Sequence, residues 1–300
     1  MKLLGYNKSM RKKILIINNG LSGGGIERAS SSLANYFSDL GHHVQVLALY
    51  QDNIVFELNN SIKYVEPRFN RNTVGKLNYV FKLIGYIRTE TKIFNPDTVL
   101  AFGEWTNPYV VLALMGFKYP IYLSDRMHPL VKLPFISEIL KRITYRFASG
   151  IIAQTNFAKR VLYNKTKSNR IHVIYNPVNI IPKTNDKETD LIISVGRLSS
   201  EKGHKYLIKA FSIAKSKLGL DMSLLILGDG SEEKQLRNQI DLLNLHEDIL
   251  LGGWVQDPLP YFKESDLFVL SSDYEGFGVV IAEAMSQGVN VVSTDCKSGP

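Results

Sequence analysis

The sequence holds a single cysteine, Cys296, in 300 residues. No disulfide can therefore form within the chain, which indicates a reducing compartment. No window approaches the roughly 20 apolar residues that a membrane-spanning helix needs, and no signal-peptide core follows the basic N-terminal stretch. These absences favour a cytoplasmic protein that is soluble or attached to a surface.

Several chemical signatures are also missing. No Asp-x-Asp occurs, and no His and Cys residues have zinc-site spacing, so a metal-bridged diphosphate site is disfavoured. Gly23–Gly25 lead to Arg28 and fail the dinucleotide pattern GxGxxG, and no Walker sequence GxxxxGK[ST] is present. The sequence thus disfavours NAD-dependent enzymes and P-loop NTPases.

What the sequence does contain is an ordinary globular composition, 45% hydrophobic and 21% charged, with a net charge of +8. Residues 1–180 carry 24 Lys and Arg against 10 Asp and Glu, whereas residues 181–300 carry 12 against 18. The basic half suits an anionic surface or acceptor, with general solubility as the plain alternative. It would also permit nucleic-acid binding, but no recognition motif supports that partner and none is predicted.

Apolar, β-branched runs alternate with helical patterns, which predicts an α/β fold with parallel sheets covered by helices. The predicted strands are 12–18, 43–50, 97–102, 120–124, 150–155, 191–197, 223–230, 248–253, 266–272 and 290–295. A stretch rich in Asn, Pro and charge, 177–190, is predicted to link an N-terminal domain, 1–176, to a C-terminal domain, 191–300. Because the chain stops directly after a strand, the second domain is expected to be an incomplete part of a longer protein.

Ligands of such sheets bind at the carboxyl ends of the strands, so the loops there hold the candidate site residues. Gly24 and Gly25 let a ligand approach the backbone and a helix N-terminus, unless they form only a tight turn. Arg197 and Lys202 suit a pyrophosphate, whose charge they can neutralise as it leaves, unless their loop is merely solvated. Farther along, Ser231 in LGDGSEEK is a candidate helix cap.

The stretch DYEGFGVVIAEAMSQG, residues 273–288, places Glu275 and Glu283 eight residues apart where a strand gives way to a helix. Carboxylates accept hydrogen bonds from vicinal hydroxyls, so the two groups are predicted to clamp sugar diols on either side of a phosphate. Backbone N–H groups at the start of the helix are predicted to bind that anion. They belong to Phe277, Gly278 and Val279.

Four motifs in order, GGGIER, YNPVN, GRLSSEKGH and YEGFGVVIAEAMSQG, followed by STDCKSGP, resemble the retaining glycosyltransferases of family 4. The resemblance covers essentially the whole chain, and its Glu-x7-Glu signature is specific. It implies the GT-B fold, in which two Rossmann-like, doubly wound domains face each other across a cleft. The C-terminal domain would bind a nucleotide-sugar and the N-terminal domain the acceptor, with no metal and no cofactor required.

The resemblance also implies roles for the candidate residues. Arg197 and Lys202 would hold the diphosphate and stabilise its departure, while Glu275 would bind the transferred sugar. In addition, Glu283 would bind the ribose, the amides near Phe277 and Gly278 would contact the distal phosphate, and Gly24 and Gly25 would approach the donor. Retention is drawn as attack on the face that the phosphate leaves, with the phosphate taking the proton.

The loop LSDRMHP, residues 123–129, follows a strand on the acceptor side. Arg126 is a candidate for contact with a phosphate or a sugar hydroxyl, and His128 for approach to the reacting sugar. Met127 stands where relatives commonly have Asn, which departs from the family pattern. A structural or solvated role for His128 is the alternative.

The implied function is transfer of a hexose or N-acetylhexosamine, with a UDP-sugar favoured, to a saccharide or a polyprenyl-diphosphate-linked saccharide during surface polysaccharide synthesis. Basic segments with apolar side chains, 76–88 and 140–150, are consistent with peripheral contact with an anionic membrane at its inner face, with core-facing amphipathic helices that carry solvated lysines as the alternative. A nucleotide-sugar 2-epimerase and a non-catalytic partner subunit of a glycosyltransferase are the alternatives.

Overall fold

A computed structural model describes residues 11–177, 189–219, 221–296 and 298–299. The chain divides into two compact units, Met1–Ile174 and Tyr175–Pro300. Most of the predicted linker, residues 178–188, lies outside the described residues.

The first unit is a parallel sheet covered by helices on both faces. Its strands are β1 (Lys13–Asn18), β2 (His43–Ala48), β3 (Lys63–Val65), β4 (Thr98–Phe102), β5 (Ile121–Asp125), β6 (Gly150–Ala153) and β7 (Ile171–Val173). Over the described residues their order in the sheet is β3-β2-β1-β4-β5-β6-β7. The helices are α1 (Gly25–Asp39), α2 (Arg71–Val74), α3 (Lys76–Phe94), α4 (Asn107–Leu114), α5 (Phe135–Thr144) and α6 (Asn156–Thr166), with a 3₁₀ helix at Tyr145–Phe147.

Alternate side chains of the central strands bury themselves on opposite faces of this sheet. Leu15 and Ile17 of β1 pack in one cluster with residues of α3 and α4. Ile14 and Ile16 pack in a second cluster with Ala34 of α1. A strand that is buried on both faces reads as a continuous apolar run, which is why KILIIN predicted it.

The second unit is a smaller parallel sheet. Its strands are β8 (Leu191–Val195), β9 (Ser223–Leu227), β10 (Ile249–Gly253), β11 (Leu267–Leu270) and β12 (Asn290–Ser293), and within the described residues they are ordered β10-β9-β8-β11-β12. Its helices are α7 (His204–Leu218), α8 (Glu233–Leu242), α9 (Leu259–Lys263) and α10 (Val279–Ser286), with a 3₁₀ helix at Ser200–Lys202.

All the predicted strands are confirmed, with boundaries within a few residues of those expected. The sequence reading missed β3 and β7, which are three residues long and lie at the two edges of the first sheet. The prediction for Ser231 was wrong, because α8 begins at Glu233 and Glu232 occupies its N-cap position. No helix in the described part of the chain is long and apolar enough to span a membrane.

Candidate functional site

Two loops of the second unit meet at the carboxyl ends of β8 and β11, which are neighbours in the sheet. The Ser271 hydroxyl donates to the backbone oxygen of Lys202 across 2.8 Å. The backbone N–H of Asp273 donates to the backbone oxygen of Glu201, also across 2.8 Å. These two bonds join the EKGH loop to the DYEGFG loop.

A glycine makes this close approach possible. Gly203 has a φ of 64°, and a Cβ at this position would lie 2.2 Å from the backbone oxygen of Ser271. Any larger residue would therefore push the two loops apart and would also be strained in the left-handed region. The glycine of GRLSSEKGH thus sets the distance between the loops.

Lys202 and Glu275 form an ion pair where the loops meet. The Lys202 Nζ lies 2.6 Å from Glu275 Oε1, and the Ser272 hydroxyl donates to the same oxygen across 2.7 Å. The Glu275 residue is only 8% exposed. An ammonium and a hydrogen-bond acceptor thus stand side by side, which suits a ligand that carries both a phosphate and hydroxyl groups.

Ser298 and Gly299 pack against this loop. Ser298 Oγ donates to the backbone oxygen of Gly276 across 3.1 Å, and a Cβ at Gly299 would lie 2.8 Å from Glu275 Cβ. The Cys296 thiol is buried, and burial followed by the charge of Glu275 raises its pKa. Ser298 and Gly299 therefore support the backbone that carries Glu275.

Helix α10 begins directly after the loop. Gly278 stands at its N-cap in the left-handed conformation, and no side-chain hydrogen bond caps this helix in the described chain. The helix begins at Val279, as the sequence predicts, and its first backbone N–H groups start there. Phe277 packs near Tyr175, with ring centroids 6.1 Å apart, and Glu283 is a buried residue of α10.

Arg197 lies in the loop after β8 with an exposed side chain. The turn after β9 braces this loop, because the backbone N–H of Leu198 donates to the backbone oxygen of Asp229 across 2.6 Å. Burial raises the pKa of Glu201, but hydrogen bonds, chiefly from Ser199, and the charges of Arg197 and Lys202 together lower it below its ordinary value. The charges of Arg197 and Lys202 therefore both act on Glu201, which lies between them in the sequence.

His204 is a residue of this region that the sequence reading did not single out. It is only 2% exposed. Burial, followed by the positive charge of Lys202, lowers its pKa to about 4. The imidazole of His204 is therefore neutral at neutral pH. The sequence offers no signal for this beyond the motif EKGH.

The first unit places its candidate residues at the carboxyl ends of β1 and β5. Gly24 is the N-cap of α1 and has an extended backbone. A Cβ at Gly24 would meet the carboxylate of Glu27, whereas a Cβ at Gly25 would meet nothing within 4 Å. Gly25 thus faces open space at the start of the helix.

Arg126 and His128 follow β5 in a loop that is only partly exposed. The Arg126 Nε donates to Ser124 Oγ across 3.1 Å, and the guanidinium lies 5.2 Å from the ring centroid of Phe102. Burial lowers the pKa of Arg126 to about 10, opposed by the charge of Glu104. The backbone oxygen of His128 accepts from the N–H of Val131 across 3.0 Å.

Glu104, which was also not predicted from the sequence, hydrogen-bonds to the backbone of this loop. Its Oε1 accepts hydrogen bonds from the backbone N–H groups of both Arg126 and Met127. A lone glutamate in FGEWTN belongs to none of the motifs noted above, so no sequence signal pointed to it.

Two family models match the sequence. The model for Glycosyltransferase Family 4 matches residues 23–180, and the model for Glycosyl transferases group 1 matches residues 178–300. The chain belongs to glycosyltransferase family 4, and its two parallel α/β units have the GT-B fold.

Two individual glycosyltransferases agree with this membership, and a solved structure shares the fold. An uncharacterized glycosyltransferase of Haemophilus influenzae is 27% identical over 97% of this chain and 82% of its own length. A Campylobacter jejuni alpha-1,4-N-acetyl-D-galactosaminyltransferase, named for an undecaprenol-diphosphate-linked saccharide, is 24% identical over 96% of this chain and 80% of its own length. The structure of Anabaena HepE in complex with UDP-glucose aligns with a TM-score of 0.72 and 20% identity, covering 95% and 81% of the two chains.

Proposed function

We propose that the chain is a retaining, metal-independent hexosyltransferase. It transfers a hexose or N-acetylhexosamine from a UDP-sugar to a saccharide or a polyprenyl-diphosphate-linked saccharide during synthesis of a surface polysaccharide. The observation that carries the proposal is the Lys202–Glu275 pair, with Nζ and Oε1 2.6 Å apart, at the carboxyl ends of β8 and β11.

The donor is held by charges and hydrogen bonds that the second unit already provides. Lys202 and Arg197 bind the diphosphate, and the N–H groups at the start of α10 bind its distal phosphate. Glu275, which Ser272 and Lys202 orient, accepts a hydrogen bond from a hydroxyl of the transferred sugar. In the same unit, Glu283 binds the ribose hydroxyls.

Transfer breaks the bond between the anomeric carbon and the phosphate oxygen, and it forms a bond from that carbon to the acceptor oxygen on the same face. The proton of the acceptor hydroxyl passes to the leaving phosphate, so no protein base is required. Negative charge grows on the diphosphate during this step, and the ammonium of Lys202 stabilises it. In the first unit, Gly24 and Gly25 approach the donor, while Arg126 and His128 contact the acceptor.

Relatives support the choice of substrates. The HepE structure contains UDP-glucose, and the Campylobacter relative is named for a lipid-linked saccharide acceptor. A lipid-linked acceptor is held in a membrane, so the proposal includes contact of the enzyme with the inner membrane face.

The surface of α5 supports peripheral contact with an anionic membrane. Phe135 is 80% exposed and Ile136 is 72% exposed, and the basic side chains of Arg142 and Arg146 are exposed along the same segment. Apolar residues that enter the headgroup region beside basic residues are typical of interfacial helices.

Cosedimentation with vesicles tests this contact. The wild type should bind vesicles of phosphatidylcholine with phosphatidylglycerol more tightly than phosphatidylcholine alone, and F135S/I136S should lose most of that binding. Leu242→Ser is the matched control, since Leu242 is an 83% exposed leucine in the second unit. Equal binding by the wild type and F135S/I136S would remove α5 from the contact.

The function itself is tested by thermal protection with UDP-, GDP- and ADP-sugars in EDTA, with products identified by mass spectrometry. A UDP-sugar should raise the melting temperature, and its sugar should appear on an added acceptor. A free 2-epimeric sugar would indicate the epimerase instead. Donor binding without turnover on any acceptor would favour the partner subunit, and no protection by any nucleotide-sugar would refute the donor site.

A further inference from the structure

A buried cluster of ionisable side chains lies behind the loop that carries Arg126 and His128. Glu104 and Asp125 are 2% and 6% exposed, and Lys141 and Tyr145 are buried with them. Lys141 Nζ lies 2.5 Å from Asp125 Oδ2, and the Tyr145 hydroxyl donates to the same oxygen across 3.3 Å. Asp125 is therefore paired with Lys141 of α5 and hydrogen-bonded by Tyr145 of the 3₁₀ helix.

Glu104 is satisfied on one oxygen only. Its Oε1 accepts from the backbone N–H groups of Arg126 and Met127, whereas its Oε2 is buried and receives no hydrogen bond from a donor among the described residues. Glu104 and Asp125 lie together in this cluster, and two ionised carboxylates cannot hydrogen-bond to each other. One proton on Glu104 Oε2 removes the repulsion between the two carboxylates and supplies a donor to Asp125.

We propose that Glu104 is a positioning residue for the acceptor loop and that it acts as a neutral carboxylic acid. Its O–H donates to Asp125, and its carbonyl oxygen holds the backbone of Arg126 and Met127, immediately before His128. This inference rests on the proposed function, which assigns Arg126 and His128 to the acceptor.

The titratable groups that face Glu104 agree with this role. Burial first, and then the charge of Asp125 and a hydrogen bond to it, raise the pKa of Glu104 to about 8, against the charge of Lys141 and the bond from Met127. Arg126 and Tyr145 are the other ionisable neighbours. Above pH 8 the cluster gains a second buried negative charge, and repulsion moves Glu104 away from Asp125 together with the two amides it holds.

Amide hydrogen exchange on the full chain tests the anchor without any need for activity. Glu104→Gln is the decisive variant, because its amide oxygen can accept from both N–H groups and its NH₂ can donate to Asp125 at every pH. After correction for the intrinsic rate, residues 126 and 127 of the wild type should lose protection between pH 7 and pH 9. The E104Q variant should keep it. Loss of protection in both proteins, or in neither, would overturn the proposal.

Acceptor kinetics test the consequence for transfer. At pH 9 about a tenth of Glu104 carries its proton, so kcat/KM for the acceptor should fall about tenfold from pH 7 in the wild type and should stay level in E104Q. The KM for the donor should change by less than about twofold, because the donor is bound by the second unit. The exposed Glu57→Gln is the control and should follow the wild type.

The results separate this proposal from the proposed function. An alkaline loss of activity shared by the wild type and E104Q would refute the role of Glu104 while leaving the transferase intact. If the wild type transfers sugar to no acceptor, the proposed function fails, and the exchange measurement alone decides whether Glu104 anchors the loop.

Discussion

The replacement Lys202→Ala separates catalysis from stability because the second unit contains a matched ion pair. Lys202 lies 2.6 Å from Glu275, and the two side chains are 19% and 10% exposed. Lys215 lies 2.6 Å from Asp248, with side chains 34% and 24% exposed. The N–O distances of the two pairs are the same. Lys202 lies at the carboxyl ends of the strands, whereas Lys215 lies toward the C-terminal end of α7.

The expected losses of stability differ only modestly. Removing one partner of a fully buried pair costs about 3–5 kcal/mol, whereas an exposed pair contributes about 0–1 kcal/mol. The Lys202 pair is partly buried and Ser272 still donates to Glu275, so K202A should lose about 1–3 kcal/mol. The K215A variant should lose about 0–1 kcal/mol.

The expected losses of activity differ greatly. Removing one group that stabilises charge in a transition state costs about 10²–10³ in kcat, so K202A should transfer sugar at about a hundredth of the wild-type rate or less, while K215A should match the wild type. Urea unfolding gives the stabilities, and initial rates of UDP release give the activities. A K202A enzyme within threefold of the wild type, or a K215A enzyme that is equally impaired, would refute the role of Lys202.

Three further outcomes follow from the same unit. Glu275→Ala should remove most transfer while far-ultraviolet circular dichroism stays unchanged, and full turnover would remove Glu275 from the donor site. Gly203→Ala should destabilise the chain by about 1–3 kcal/mol more than Gly219→Ala. Both glycines have φ near 65°, but of the two only Gly203 would place a Cβ against a backbone oxygen. Equal losses of stability in urea unfolding would contradict the close approach. Because burial lowers the pKa of His204 to about 4, the unfolded chain binds an extra proton between about pH 6.5 and pH 4. Stability should therefore fall on acidification by up to about 1.4 kcal/mol per pH unit more in the wild type than in H204L, and identical pH profiles would contradict the buried neutral histidine.

The sequence predicted the sheets because buried parallel strands are continuous apolar runs, as in KILIIN and LIISV. It could not predict β3 and β7, since three residues at a sheet edge need only partial burial and carry no period. It also misplaced the cap of α8. A serine four positions after the end of β9 is compatible with several turn geometries, and the structure begins the helix at Glu233.

The candidate donor residues were predictable because their motifs lie directly after strands, where ligands of parallel sheets bind. The direct contact between Lys202 and Glu275 was not predictable, because these residues are 73 positions apart and the pair depends on the close approach at Gly203. Glu104 and His204 were missed for a related reason. Their importance comes from burial beside other charged groups, which appears only when the loops are folded together.

The central claim is that a UDP-sugar binds at the Lys202–Glu275 pair without a metal ion, and calorimetric titration in EDTA tests it most directly. At least one of UDP-glucose, UDP-galactose and their N-acetyl derivatives should bind the wild type, and K202A should bind it at least tenfold more weakly than K215A does. Equal affinity in both variants, or no binding of any UDP-sugar to the wild type, would contradict it.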